Sequence, residues 1–185
     1  MSTTSIDFKF KIAVIGNWGV GKTSLLKRFT KGTFNTEYIK TIGAQLSKYD
    51  KEIKGDTIRL LFWDIAGQDD FGFLRPSFYR DSGAAIIVYS LEENDLGKSS
   101  FNNITNWHDD ILRFCGSIPV VLFANKIDLV DENNLDHIIT QKIVDQRNFL
   151  GYFNTSAKTG QGVFKAFNTL IKDLYHKALS LELTG

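Results

Sequence analysis

The run Gly16-Asn17-Trp18-Gly19-Val20-Gly21-Lys22-Thr23 constrains this chain more than any other stretch. It follows an apolar segment, Phe10-Lys11-Ile12-Ala13-Val14-Ile15, and precedes Ser24-Leu25-Leu26-Lys27-Arg28-Phe29, so it sits on a strand-to-helix turn. Gly16, Gly19 and Gly21 let the backbone curl with successive N–H groups facing inward. The helix that follows adds the positive end of its dipole. A polyphosphate suits that cup. Lys22 would bridge the β- and γ-phosphates as a point charge, and the Thr23 hydroxyl would be a hard oxygen ligand for Mg²⁺. The plain alternative is a glycine-bearing turn that matches by accident. Strand, loop, Lys-Thr pair and helix all agree against it.

A chain of 185 residues, 43% of them hydrophobic and 15 of them phenylalanine, is long enough to bury one continuous core, so a single domain over 1–185 is expected. Twenty-two basic residues against twenty-one acidic leave a net charge of +1, with no long run of one sign. That excludes a nucleic-acid footprint. The single cysteine, Cys115, rules out an internal disulfide framework and reads as a small apolar filler near a helix end. Residues 1–7 have no signal-peptide core and read as a flexible N-terminus; no apolar run approaches the ~20 residues of a membrane span. A cytoplasmic protein is expected.

Beyond the first helix, residues 31–43 are polar and aperiodic, as in an exposed, mobile connection. Residues 44–53 and 57–64 flank Lys54-Gly55-Asp56 and predict an antiparallel hairpin whose second strand delivers Asp64 to its end. A second flexible segment, 65–75, carries Gly67 and Gly72 and stops at Pro76. The short apolar runs 84–89 and 120–124 predict strands covered on both faces. Between them, 99–114 predicts a helix with Phe101, Ile104, Trp107, Ile111 and Leu112 inward. A polar amphipathic helix over 136–149, a brief strand over 152–154 and a docking helix over 163–179 complete the chain. That last helix puts Val163, Phe167, Leu170, Ile171, Leu174 and Ala178 on one face, and 180–185 is its end or a shortened tail. The expectation is an α/β fold: a mostly parallel six-stranded sheet, one antiparallel edge strand, helices on both faces. Ligands of such folds sit outside the carboxyl ends of the strands.

Three further loops fall at that end. In Asp64-Ile65-Ala66-Gly67-Gln68, Asp64 would hold Mg²⁺ through water, the Gly67 N–H could touch a γ-phosphate, and Gln68 would orient an attacking water. In Asn125-Lys126-Ile127-Asp128, Asp128 can accept hydrogen bonds from the N1–H and 2-amino group of guanine, where adenine would present a lone pair. In Thr155-Ser156-Ala157-Lys158, the Ala157 N–H is available to guanine O6. Taken singly, Asp64 would be a strand-end cap, Asn125 and Asp128 turn formers, and Gln68 a solvated surface residue. His108, His137 and His176 read as surface or packing residues. Phe71 and Phe73 form an exposed patch for partners or tuck under the sheet.

Together these four loops, in this order, resemble those of the small GTPases of the Ras superfamily, over about residues 8–179. Arg28-Phe29-Thr30-Lys31-Gly32-Thr33-Phe34, Tyr38-Ile39-Lys40-Thr41-Ile42-Gly43 and Tyr79-Arg80 look most like Rab proteins. The resemblance implies a P-loop NTPase fold, the G domain, and a molecular switch that binds GTP or GDP with Mg²⁺ and hydrolyses GTP slowly, in membrane traffic or signalling. It assigns nucleotide contacts to Gly19, Val20, Gly21, Lys22, Thr23, Ser24, Phe34, Thr41, Gly67, Asn125, Lys126, Asp128, Ser156, Ala157 and Lys158. Phe34 would pack beside the guanine, Ser24 would meet the α-phosphate, and Thr41 would give its hydroxyl to Mg²⁺ and its N–H to the γ-phosphate. Metal ligands are then Thr23, Thr41 and, through water, Asp64; Lys22 and Gln68 are catalytic. GTP would order both flexible segments and hydrolysis release them. The resemblance also implies a monomer whose effectors, exchange factor and GTPase-activating protein bind residues 34–43, from Phe34 to Gly43, and 68–75, from Gln68 to Arg75.

Three departures qualify that likeness. Trp18 stands where the family usually has a small residue, and an indole there crowds the γ-phosphate or swings outward. Crowding would give the alternative reading, a GTP-binding interaction module with little or no hydrolysis. Ile65, Asp69 and Ala44-Gln45-Leu46 differ from the usual residues and bear on partner choice. Rab proteins carry a tail with prenylated cysteines, whereas the sequence here ends Leu183-Thr184-Gly185, so a peripheral membrane position is expected only with a lipidated tail that was removed. A P-loop kinase would share the first loop but leave Asp128 and Ser156-Ala157-Lys158 without a task.

Overall fold

In the computed structural model, residues 8–34, 41, 43–67 and 73–182 are described. The element order is β1 (Phe8–Ile15), α1 (Lys22–Lys31), β2 (Ala44–Ile53), β3 (Asp56–Ile65), α2 (Arg75–Tyr79), β4 (Ala84–Ser90), α3 (Asp95–Asn102), α4 (Ile104–Cys115), β5 (Val120–Asn125), α5 (His137–Gln146), β6 (Tyr152–Thr155) and α6 (Val163–Glu182). The six strands run in the order β2-β3-β1-β4-β5-β6. Every pairing is parallel except β2 with β3, so the antiparallel strand is at one edge.

The apolar strands are two-faced. Ile12, Val14, Ile86, Val88, Val121 and Phe123 pack on one side of the sheet with α1 and α6, while Ala13, Ile15, Ile87, Leu122 and Ala124 pack on the other with Ile104, Trp107 and Ile111 of α4. Alternating Cβ directions send neighbours into opposite cores, which is why 12–15, 84–89 and 120–124 are unbroken apolar runs. Phenylalanines fill the first core: Phe29 of α1 stacks on Phe167 of α6 at 4.3 Å between ring centroids, and Phe62 of β3 meets Phe167 edge-on at 5.5 Å.

Register aligns the functional ends. Val14 pairs with Asp64, Ser90 with Asn125, and Asn125 with Thr155. β1 lies between β3 and β4, so the chain winds away from it in both directions and the loop after β1 opens at the switch point of the sheet.

Several boundaries differ from expectation. The helix expected over 99–114 is two helices that begin earlier: Asn94 caps α3 by accepting the Gly97 N–H at 2.9 Å, and Asn103 separates α3 from α4. Ile104, Trp107, His108 and Ile111 form the inward stripe of α4, and Leu112 is 41% exposed beyond its edge, not inward. Asp136 is a cap rather than a helical residue, accepting from the N–H of Ile138 and Ile139, so α5 is shorter than the expected 136–149. β3 gains Asp56 and Ile65, β6 gains Thr155, and α6 continues to Glu182.

Candidate functional site

Gly21 makes the first turn possible. It caps α1 with φ 100, and a Cβ there would lie 2.3 Å from Asn125 Nδ2. Lys22, only 6% exposed, donates from Nζ to the carbonyls of Gly16 and Asn17, both at 2.8 Å, so its ammonium sits inside the curl of the loop. Burial lowers its pKa from 10.5 to about 8, with the Asp64 carboxylate opposing the shift. A desolvated ammonium at a helix N-terminus strongly favours a bound anion.

The β1–β3 register brings Asp64 beside this loop. The Thr23 hydroxyl donates to Asp64 Oδ2, and Thr23 Oγ1 lies 2.9 Å from Thr41 Oγ1. Oxygens from α1, β3 and the segment before β2 thus meet at one point. Asp64 Oδ1 is buried and has no hydrogen-bond partner among the described residues. Burial pushes the Asp64 pKa up, while the Thr23 hydrogen bond and the Lys22 charge pull it down. The Ala66 N–H donates to the Gly43 carbonyl at 2.8 Å, tying the end of segment 31–43 to the start of segment 65–75. Gly67 lies against the phosphate-loop backbone. Gln68, Asp69, Phe71 and Gly72 lie outside the described residues, as do 1–7, 35–40, 42 and 183–185. Phe73 is 78% exposed and Trp18 is 54% exposed.

On the other flank, Asn125 joins two loops. Its Nδ2 donates to the Val20 carbonyl at 2.8 Å, and its Oδ1 accepts from the Ala157 N–H and the Thr155 hydroxyl, both at 3.3 Å. Ser156 Oγ donates to Asp128 Oδ1 at 2.6 Å and accepts the Thr159 N–H at 3.0 Å. Asp128 is exposed in a 3-10 turn, Ile127–Leu129, with the Lys158 side chain also exposed nearby in the chain's last loop. Lys126 takes a left-handed φ of 71 and ion-pairs with Glu92. Ser24 is half-buried in the first turn of α1, and Phe34 packs partly buried on the α1–α6 core. His108 is buried edge-on against Phe149, and His137 Nδ1 is 2.7 Å from the Tyr152 hydroxyl.

Sequence reasoning missed Glu92 and the anchoring of Asn17. Asn17 Oδ1 accepts from Trp107 Nε1 at 2.9 Å and Asn103 Nδ2 at 3.2 Å, and its Nδ2 donates to Ser99 Oγ at 3.3 Å. The phosphate loop is therefore braced by the α3–α4 junction, a pairing across 86 to 90 residues that no local pattern announces.

A glycine-capped Lys-Thr loop at the switch point of a sheet with this strand order defines a P-loop NTPase fold of the G-domain kind. The sequence profile of the Ras family matches residues 11–176. The chain is 39% identical over 173 residues to the Ras-related protein Rab-1 of Theileria annulata, covering 92% of this chain and 76% of that protein. It is 36% identical over 169 residues to the GTP-binding protein ypt1 of Schizosaccharomyces pombe, covering 91% and 81%, and 36% identical to YPT1 of Saccharomyces cerevisiae, covering 91% and 80%. The chain belongs to the Ras family and is a Rab-like GTPase of that superfamily. No helix among the described residues is long and apolar enough to cross a membrane.

Proposed function

We propose that the whole chain, 1–185, is one G domain acting as a monomeric, cytoplasmic switch in membrane traffic or signalling, and that it works with Mg²⁺ and the residues assigned above. The observation that carries the reading is the meeting of Lys22, Thr23, Thr41 and Asp64 at the N-terminus of α1. The donor set suits Mg²⁺: two hydroxyls and one carboxylate, with Asp64 Oδ1 buried and without a partner among the described residues. Mg²⁺ keeps several waters and needs few protein oxygens, which agrees with the described residues holding no group of three or more His, Cys, Asp or Glu. When bound, it neutralises charge on the β- and γ-phosphate oxygens.

Lys22 and the loop N–H groups bind the phosphates, and Asp128 and the Ala157 N–H read the guanine. Gln68 orients the water that attacks the γ-phosphorus, the bond to the β-phosphate oxygen breaks, and GDP and phosphate result. Thr41 and Gly67 hold the γ-phosphate until then, so residues 34–43 and 68–75 change state on hydrolysis and are where effectors, an exchange factor and a GTPase-activating protein bind. The names of the relatives, GTP-binding protein and Ras-related protein, support this reading. An indole 54% exposed, that of Trp18, has open space in which to lie clear of the phosphates, which supports hydrolysis over a non-hydrolysing module.

Identifying the co-purified nucleotide by chromatography and following its turnover with Mg²⁺ tests the proposal. Guanine nucleotide that turns over slowly is expected; adenine nucleotide, or none that Mg²⁺ and excess GTP can load, refutes it. Trp18→Gly should hydrolyse GTP within about threefold of the parent in single turnover, since an exposed ring has a rotamer free of the γ-phosphate. A tenfold gain would restore the crowding reading.

A further inference from the structure

Arg28 stands in the last turn of α1 and belongs to none of the four loops. Its guanidinium donates from Nε to the Ala157 carbonyl at 2.7 Å and from Nη2 to the Lys158 carbonyl at 2.5 Å. From Nη1 it donates to the Gly32 carbonyl at 2.9 Å. One rigid plane therefore joins the end of α1 to a loop 129 and 130 residues away. Gly32 caps α1 in a left-handed conformation, φ 67, and its N–H returns to the Arg28 carbonyl at 3.1 Å. Two residues further on is Phe34.

Ala157 is thereby anchored through its carbonyl by Arg28, while its N–H makes only a long 3.3 Å hydrogen bond to Asn125 Oδ1, which it would share or give up on meeting guanine O6. The Arg28 side chain also runs close over Gly160, where a Cβ would lie 3.8 Å from Arg28 Cδ. Charged donors to carbonyls are stronger than neutral ones, and a planar fork fixes direction as well as distance. A lysine at this position could reach these oxygens but not span them in a fixed geometry.

We infer that Arg28 is a positioning residue for guanine recognition, resting on the guanine reading above. It holds the Ala157-Lys158 backbone and the start of the segment leading to Phe34 in one frame, and so sets where the O6 edge and the face of the base are met. α1, ten residues and about 15 Å long, carries the phosphate-facing Lys22 and Thr23 at its other end, so the same rod relates the base to the phosphates.

The test compares the full chain with Arg28→Ala and Arg28→Lys, measuring release of GDP and of 6-thio-GDP into excess unlabelled GTP. 6-Thio-GDP keeps N1–H and the 2-amino group but offers a weak sulfur acceptor at position 6. Arg28→Ala should release GDP about 10- to 100-fold faster, with Arg28→Lys between it and the parent. The parent should release 6-thio-GDP faster than GDP, and that ratio should fall towards one in Arg28→Ala. Equal acceleration of both nucleotides, leaving the ratio unchanged, marks a merely structural role and overturns the inference. If Arg28→Ala does not fold, the same ratio in Arg28→Lys decides. A parent that binds GDP tightly with variants within threefold of it defeats this inference alone, whereas a parent that does not bind GDP defeats the guanine reading first.

Discussion

Substituting Gly67 by alanine would separate hydrolysis from nucleotide binding. A Cβ at Gly67 would lie 2.2 Å from the Gly16 carbonyl oxygen, 2.4 Å from Asn17 C and 2.5 Å from Trp18 N. All three are backbone atoms of the phosphate loop, and that loop cannot retreat: Lys22 Nζ, Asn125 and the Asn17 side chain hold it at six hydrogen bonds. Ordinary contact begins at 3.4 Å, so the segment carrying Gly67 must withdraw by about 1 Å. A misplacement of that size removes about a hundredfold in rate when the moved group must meet the reacting phosphate, about 2.7 kcal/mol of barrier. Gln68 is the next residue and moves with it. GDP has no γ-phosphate, so its release should stay within about threefold. Single-turnover hydrolysis of bound GTP, read beside GDP release, gives both numbers. Hydrolysis by Gly67→Ala within threefold of the parent would show that the close approach has no part in the chemistry.

The buried Lys22 ammonium predicts an alkaline gain in stability. Below about pH 8 Lys22 is charged in both states and the burial penalty is in full force; between about 8 and 10.5 the unfolded chain binds the proton more tightly, so stability rises with pH. Denaturation of the nucleotide-free parent should gain at most about 3 kcal/mol relative to Lys22→Met across that window, and parallel pH profiles would discount the burial argument. Asp128→Asn exchanges an acceptor of the 2-amino group for an amide that can donate to a carbonyl, so guanosine diphosphate should bind at least a hundredfold more weakly and xanthosine diphosphate more tightly than in the parent. Competition binding with both nucleotides checks this, and an unchanged preference would remove Asp128 from base recognition.

Much of the architecture was legible because it is written locally. Strand β4 is apolar from 84 to 89 because its neighbours face two cores, and Gly21-Lys22-Thr23 marks a helix start by backbone conformation alone. The break at Asn103 was not legible: apolar spacing continues across it, and only the contact from Asn103 to Asn17 shows what the junction does. The exposure of Leu112 was missed as well.

The sequence by itself determined the loops that meet a nucleotide and the order of the elements that carry them, since turn chemistry and apolar period act within a few residues. Tertiary structure alone decided which atoms those loops lean on. Arg28 meets Ala157, Glu92 meets Lys126 and Trp107 meets Asn17 because strand order and helix phase bring them together, across 34 to 129 residues. Those contacts depend on the packing of the whole sheet, and a chain read residue by residue contains no term for it.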